Sequence, residues 1–126
     1  MKRFIAALVV LSLTVACAVT TQFLVLRKVD TLQEEARELV TLSAEEDPQA
    51  LRAALTKLEH SWDKADRLLH MFVVHRELGE VELTLPAMDE YLQNGDEELF
   101  RESSVRLLEA LEHIGHSTKI NLGNIF

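Results

Sequence analysis

Five histidines and 21 aspartates and glutamates in a chain of 126 residues are the side chains able to move protons or hold a cation here. Their most suggestive grouping lies in the last third. Glu109 and His113 are four residues apart, as are Glu112 and His116, a spacing that sets two side chains on one helical face. If two antiparallel helices meet at Asn94-Gly95-Asp96, counting outward puts His75 at the height of Ile114, beside Glu112 and His113. His75, Glu112, His113 and His116 are therefore candidate ligands of a carboxylate–imidazole metal site. Against this, the spacing is neither H-E-x-x-H nor the Glu-x-x-His of di-iron bundles. His113 and His116 also stand in what reads as a last helical turn, where the helix dipole favours them. A hydrogen-bonded or capping cluster without metal is the favoured expectation, and no cofactor is expected.

Other chemistry finds little support. The carboxylates from Glu77 to Glu102 are opposed within that stretch only by Arg101, with Arg76 just before it. Such a run can take a cation or a basic partner, but a solvated face that keeps a small domain soluble is the commoner reason. No D-x-D-x-D-G loop points to calcium. Ser61, Ser103 and Ser104 have no base at a useful spacing, Cys17 lies in an apolar stretch, and the four glycines make no phosphate loop. An enzyme is not expected. A net charge of −8 argues against nucleic acid as a partner.

Residues 4–26 carry no charge and sit between Met1-Lys2-Arg3 and Arg27-Lys28. As a helix they would span ~34 Å, against a hydrocarbon core of ~30 Å. Their leucine, isoleucine, valine and phenylalanine side chains favour insertion by roughly 4–8 kcal/mol in total. A transmembrane anchor over 4–26, after a basic flank at 1–3, is expected. The alternatives are cleavage after Ala18, or a lipoprotein signal ending at Cys17, either of which would release a secreted or lipidated domain. Lys2, Arg3 and the terminal amine favour a cytoplasmic start and an extracytoplasmic domain, while Arg27 and Lys28 pull the other way. The lipid bilayer is thus one partner, through residues 4–26.

Beyond the anchor the pattern is helical throughout. Val25, Val29, Leu32, Ala36 and Leu39 continue one apolar stripe out of the membrane segment. Asp47-Pro48 marks a helix start, Asp suiting the N-cap and Pro the first helical position. Leu51, Leu55, Leu58, Trp62, Ala65, Leu69 and Phe72 then recur in steps of four and three. Past Phe72 the register shifts to Leu78, Val81, Leu85, Met88 and Leu92, with Gly79 and Pro86 expected to bend this stretch. Asn94-Gly95-Asp96 reads as a stop followed by a start. The last stripe is Phe100, Ser103, Leu107, Ala110 or Leu111, and Ile114, closing at Gly115.

The expected fold is all-α: a transmembrane helix continuing into a small antiparallel bundle of three to four helices. The acidic domain spans 27–115, and an apolar tail at 116–126 docks on it. Two hairpin turns place Leu39 near Leu55, Leu32 near Trp62, and Leu85 near the Leu107 turn. The apolar run 68–74 returns toward the bilayer if the first helix is straight. It is expected to be core, with contact to lipid headgroups as the alternative.

A basic start, one membrane segment, Trp62 in a leucine helix, His75-Arg76-Glu77-Leu78, Asp96, Glu112-His113-Ile114 and the ending Asn121 to Phe126 together resemble an uncharacterised family. Its members are small membrane-anchored proteins of Gram-positive spore-formers, grouped as a domain of unknown function. The resemblance covers nearly the whole chain through short motifs. It implies a single-pass protein with a helical domain and an integral membrane protein as partner, and no known activity. His75, Glu77, Leu78, Asn124, Ile125 and Phe126 look like its signature positions. The expectation is therefore a membrane-anchored bundle serving as an interaction or assembly subunit, with homo-oligomers left open. A metal- or ligand-sensing domain using the His/Glu cluster is the alternative.

Overall fold

The computed structural model describes residues 1–45, 47–73 and 75–125, with side chains as far as Lys119. Four helices follow in order: α1 Lys2–Ser43, α2 Pro48–Phe72, α3 His75–Asn94 and α4 Glu97–Ile125. They form an all-helical bundle, with no strand among the described residues.

α1 is one unbroken helix of 42 residues, ~63 Å long at 1.5 Å per residue. Its two parts live in different surroundings. Up to Leu24 its large apolar side chains are exposed, whereas Val25, Val29, Leu32, Ala36 and Leu39 are fully buried against the other helices. It is long and apolar enough in its first part to cross a membrane.

Capping chemistry sets two of the three turns. Asp47 caps α2, its carboxylate accepting from the amides of Gln49 and Ala50 at 3.1 and 3.4 Å, with Pro48 next in the first turn. At the other turn Gly95 takes φ 72°, the left-handed conformation only glycine adopts without cost. The Asp96 amide donates to the Tyr91 carbonyl at 2.9 Å, closing α3, and the Asp96 carboxylate accepts from the Leu99 amide at 3.3 Å, opening α4.

The turn between α2 and α3 departs from expectation. The helix stops at Phe72 and Val73 is extended, φ −114° and ψ 144°, a conformation that suits a β-branched residue. α3 then runs without interruption through Gly79 and Pro86, where a bend was expected. Pro86 lies on the exposed side, so the carbonyl its missing N–H leaves free can be hydrated.

Cross-helix pairs give the topology. Glu35 meets Ser61 and Glu38 meets Lys57 between α1 and α2. Gln33 reaches the Leu111 carbonyl and Arg101 the Ser43 carbonyl between α4 and α1. His70 meets Glu82 between α2 and α3, and Glu77 meets Ser117 between α3 and α4. Between α1 and α2 and between α1 and α4 one number rises as the other falls, and the short turns after Phe72 and at Gly95 fold α3 and α4 back in the same way, so the four helices run alternately up and down around a ring. The hairpin counts Leu39/Leu55 and Leu32/Trp62 agree with this register.

The core follows the expected stripes, joined by Ala54 and Val73, with Leu92 only partly buried at the end of its stripe and two further changes. Phe72 ends its helix and stays half exposed, and the small residue at the centre of α4 is the fully buried Ser104, hydrogen-bonded back to Phe100, rather than Ser103. The run 68–74 divides: Leu69 and Val73 are core, while Met71 and Phe72 point outward. α4 passes straight through Gly115 instead of ending there. A Cβ at Gly115 would collide with the Gln33 amide nitrogen and press on Val29 Cγ1 at 3.3 Å, so this glycine marks the close approach of α4 to α1. The backbone of residues 116–125 continues α4, and the docking of the tail, with the side chains of Asn124 and Ile125 and with Phe126, lies outside what is described.

Candidate functional site

The residues singled out as metal ligands go to separate partners. His75 stacks edge-on against His70, ring centroids 5.3 Å apart, and so faces back over the α2–α3 turn. Glu112 faces Arg37 Nη2 at 3.6 Å. His113 Nε2 lies 3.6 Å from Glu77 Oε1, the oxygen that also accepts from Ser117 at 3.1 Å. His116 is exposed. Trp62 and Leu78 are buried in the core, as the stripes require. Among the described residues, a different trio brings ligand atoms within 4.8 Å of one another: Asp66, His70 and Glu82.

That trio stands on the seam between α2 and α3, the most sparsely packed of the four. Asp66 and His70 are one turn apart on α2, and Glu82 reaches across from α3. His70 Nδ1 lies 2.9 Å from the Asp66 carbonyl and 2.8 Å from Asp66 Oδ1, and Nε2 lies 2.8 Å from Glu82 Oε1. An imidazole with an acceptor at both nitrogens is best satisfied when both carry protons. The Asp66 carbonyl above all, followed by the charges of Asp66 and Glu82, raises the His70 pKa above its ordinary value, against an opposing effect of desolvation. The two nitrogens of a ring point away from each other. A metal at Nε2 would meet Glu82 and leave Asp66 on the far side, so as arranged His70 is a clasp between the Asp66 carbonyl at Nδ1 and Glu82 at Nε2, with Asp66 Oδ1 close by as a charge but accepting no hydrogen bond.

Further along the seam the buried Trp62 and Leu85 form the floor, and Pro86 stands at the edge with Glu59, Asp63, Glu82 and Asp89. Arg52 bridges to Asp89, whose second oxygen accepts from Gln93 at 3.3 Å. Partial burial, then the neighbouring Asp89 and Asp63, push the Glu59 carboxyl above its ordinary pKa despite the pull of Arg52. The seam is thus an acidic-rimmed cleft over an apolar floor. Neither His70 nor Asp66 stood out in the sequence, because His70 sits inside the apolar run 68–74; their i, i+4 spacing was the available signal.

An acidic antiparallel four-helix bundle carried on one long apolar helix is the class of protein that these features define. The chain belongs to the family described as "Domain of unknown function (DUF4363)", whose model matches residues 19–125. No curated protein and no solved structure matches it.

Proposed function

We propose that this protein is a membrane-anchored helical bundle that serves as an interaction or assembly subunit, the α2–α3 seam receiving a basic segment of an integral membrane partner. The observation that carries this is the seam itself. Four carboxylates, Glu59, Asp63, Glu82 and Asp89, line a cleft whose apolar floor is Trp62 and Leu85, with Pro86 exposed at its edge. A cleft with apolar floor and single-signed rim suits a peptide or helix with apolar anchors and flanking lysines or arginines. The raised pKa of Glu59 is relieved when a cation arrives. Lys2 and Arg3 at the far end of α1 support a bundle on the extracytoplasmic face. Nothing in this reading requires catalysis.

A photo-crosslinking side chain at Asp63 in the full chain, in its native membranes, tests the reading. An adduct with an integral membrane protein from position 63, absent from the exposed position Glu34 on α1, is the expected result. A chain that leaves mild detergent as a lone monomer, with no adduct or equal adducts at both positions, overturns it. Impermeant thiol labelling of Asn94→Cys, in a Cys17→Ser background, reports the side on which the bundle lies.

The second reading, a metal sensor, has Asp66, His70 and Glu82 as its nearest ligand set, with ligand atoms within 4.8 Å, and requires the imidazole to turn so that one nitrogen and both carboxylates face a common point. Metal content of the full chain that does not change in His70→Ala removes it.

A further inference from the structure

The lower end of the bundle coincides with the point where α1 would leave the bilayer. The register fixed by Glu35/Ser61 and Glu38/Lys57 places Leu24 opposite Met71 and Phe72, at the α2–α3 turn. That fixed by Gln33/Leu111 places Leu24 level with the last turns of α4. From Phe4 to Leu24 a helix rises ~30 Å, the thickness of a hydrocarbon core. The bundle therefore ends at about the depth where hydrocarbon gives way to headgroups.

The side chains at this end fit that position. Met71 and Phe72 are 71% and 43% exposed, and Phe23 and Leu24 beside them 59% and 45%. The charge here is also the reverse of the rest of the domain. In the turns up to Lys28 on α1, from Arg67 on α2, up to Leu78 on α3 and from Gly115 on α4 stand Arg27, Lys28, Arg67, Arg76 and Lys119. Within these bounds Glu77 is the one acidic residue, engaged by Ser117 and His113, while Asp66 and Glu82 reach in from just outside them to face the His70 ring. One turn above, Leu24, Arg27, Lys28, Thr31 and Lys64 line a cleft between α1 and α2. Among the described residues none of its three cations is in a salt bridge, whereas Arg37, Arg52 and Lys57 higher up each face a carboxylate.

We propose that this end of the bundle rests on the bilayer, Met71 and Phe72 entering the interface, and that Arg27, Lys28 and Lys64 hold the phosphate of an anionic phospholipid headgroup in the cleft between them. The inference rests on α1 being a membrane anchor. Arg27 and Lys28 stand ~5 Å beyond Leu24, within the headgroup layer, and Lys64 reaches down to it along its own stem. The apolar tips supply the area buried in lipid, and the cations supply the preference for negative charge. The acidic remainder of the bundle is repelled from the same surface, which holds the far part of the α2–α3 seam, at Glu59, Asp63 and Asp89, clear of the lipid.

The full chain, reconstituted in vesicles, carries an environment-sensitive fluorophore at Met71→Cys, Leu11→Cys or Leu83→Cys in a Cys17→Ser background, with nitroxide-labelled lipid as quencher. Expected are strong quenching at position 11, shallow quenching at 71 and none at 83. Replacing about one-third of the phosphatidylcholine by phosphatidylglycerol strengthens the signal at 71, by about fivefold in population per cation engaged. High salt reverses that gain, as does Arg27→Gln with Lys28→Gln and Lys64→Gln, position 11 being unmoved in both cases. No quenching at 71 with position 11 deep overturns the docking while leaving the anchor standing. Quenching at 71 that ignores phosphatidylglycerol, salt and the triple variant overturns the headgroup site. No quenching at 11 removes the anchor and the inference with it.

Discussion

Ser61 donates its hydroxyl to Glu35 Oε1 across 2.8 Å, joining α2 to α1 inside their interface. Glu35 is only 8% exposed, and its other oxygen, Oε2, has no hydrogen-bond partner among the described residues. A carboxylate is thus kept in the bundle wall by one hydroxyl. Ser61→Ala is expected to cost about 1–3 kcal/mol, because both oxygens are then left without a donor. Glu35→Leu is expected to be neutral or stabilising, since an apolar side chain of similar size needs no partner there. Urea unfolding in micelles, with the double variant recovering most of the Ser61→Ala loss, checks the pair.

The His70 clasp gives the bundle a pH dependence of known sign. The folded-state pKa lies above the unfolded value, so its stabilisation is complete below the ordinary histidine pKa and is lost as pH rises through the raised one. Melting temperature should fall as pH is taken upward from about 6, and His70→Gln should flatten that part of the curve. A histidine resonance titrating above its ordinary range, and absent from the variant, assigns the effect.

Glu59 acts in the same direction at lower pH. Its carboxyl is raised in the folded state by burial, Asp89 and Asp63, so ionising it as pH climbs past the ordinary carboxylate value costs stability. Glu59→Gln should melt higher than the natural chain at neutral pH, and the difference should vanish on acidification to the carboxylate range. If the seam receives a basic partner, the same variant should also weaken cross-linking from position 63.

Gly115 separates close approach from helix ending. Alanine there displaces the Gln33 amide and breaks its 3.1 Å bond to the Leu111 carbonyl, a loss of about 0.5–1.5 kcal/mol. The gain of about 1 kcal/mol from alanine over glycine inside a helix offsets it. Gly115→Ala should therefore melt close to the natural chain. Gly115→Val adds bulk against Val29 and should be destabilised by about 1–3 kcal/mol.

Much of this architecture was legible in the residues. Val25 to Leu39, Leu51 to Leu69 and Leu78 to Met88 repeat at helical spacing because only a continuous stripe can be buried in a bundle, and each of those stripes is core. Asp47-Pro48 and Gly95-Asp96 announced their turns through capping chemistry. The turn at Val73 carried no such signal: two valines follow Phe72, with no glycine or proline among them, and only the shift of register marked the place. That turn also explains why the site moved. Counting from a hairpin gives a residue's height on the bundle but not the direction it faces. His75 has the height of Ile114, yet it turns toward His70 across the neighbouring turn instead of toward α4. Glu77, two residues on, is the group that meets His113.

The unbroken course of α1 makes it a rigid shaft between lipid and bundle. A shaft without a joint transmits torque, so a rotation imposed on its lipid-embedded part must turn the whole domain by the same angle. Each residue of helix advances ~100° and 1.5 Å, which makes the chain's own geometry a ruler. One alanine inserted after Val19 would swing the bundle by about 100° relative to the anchor, and three or four would restore its bearing but lift it by ~5 Å. Any partner that grips both the anchor and the seam must therefore be matched to this chain in phase as well as in distance.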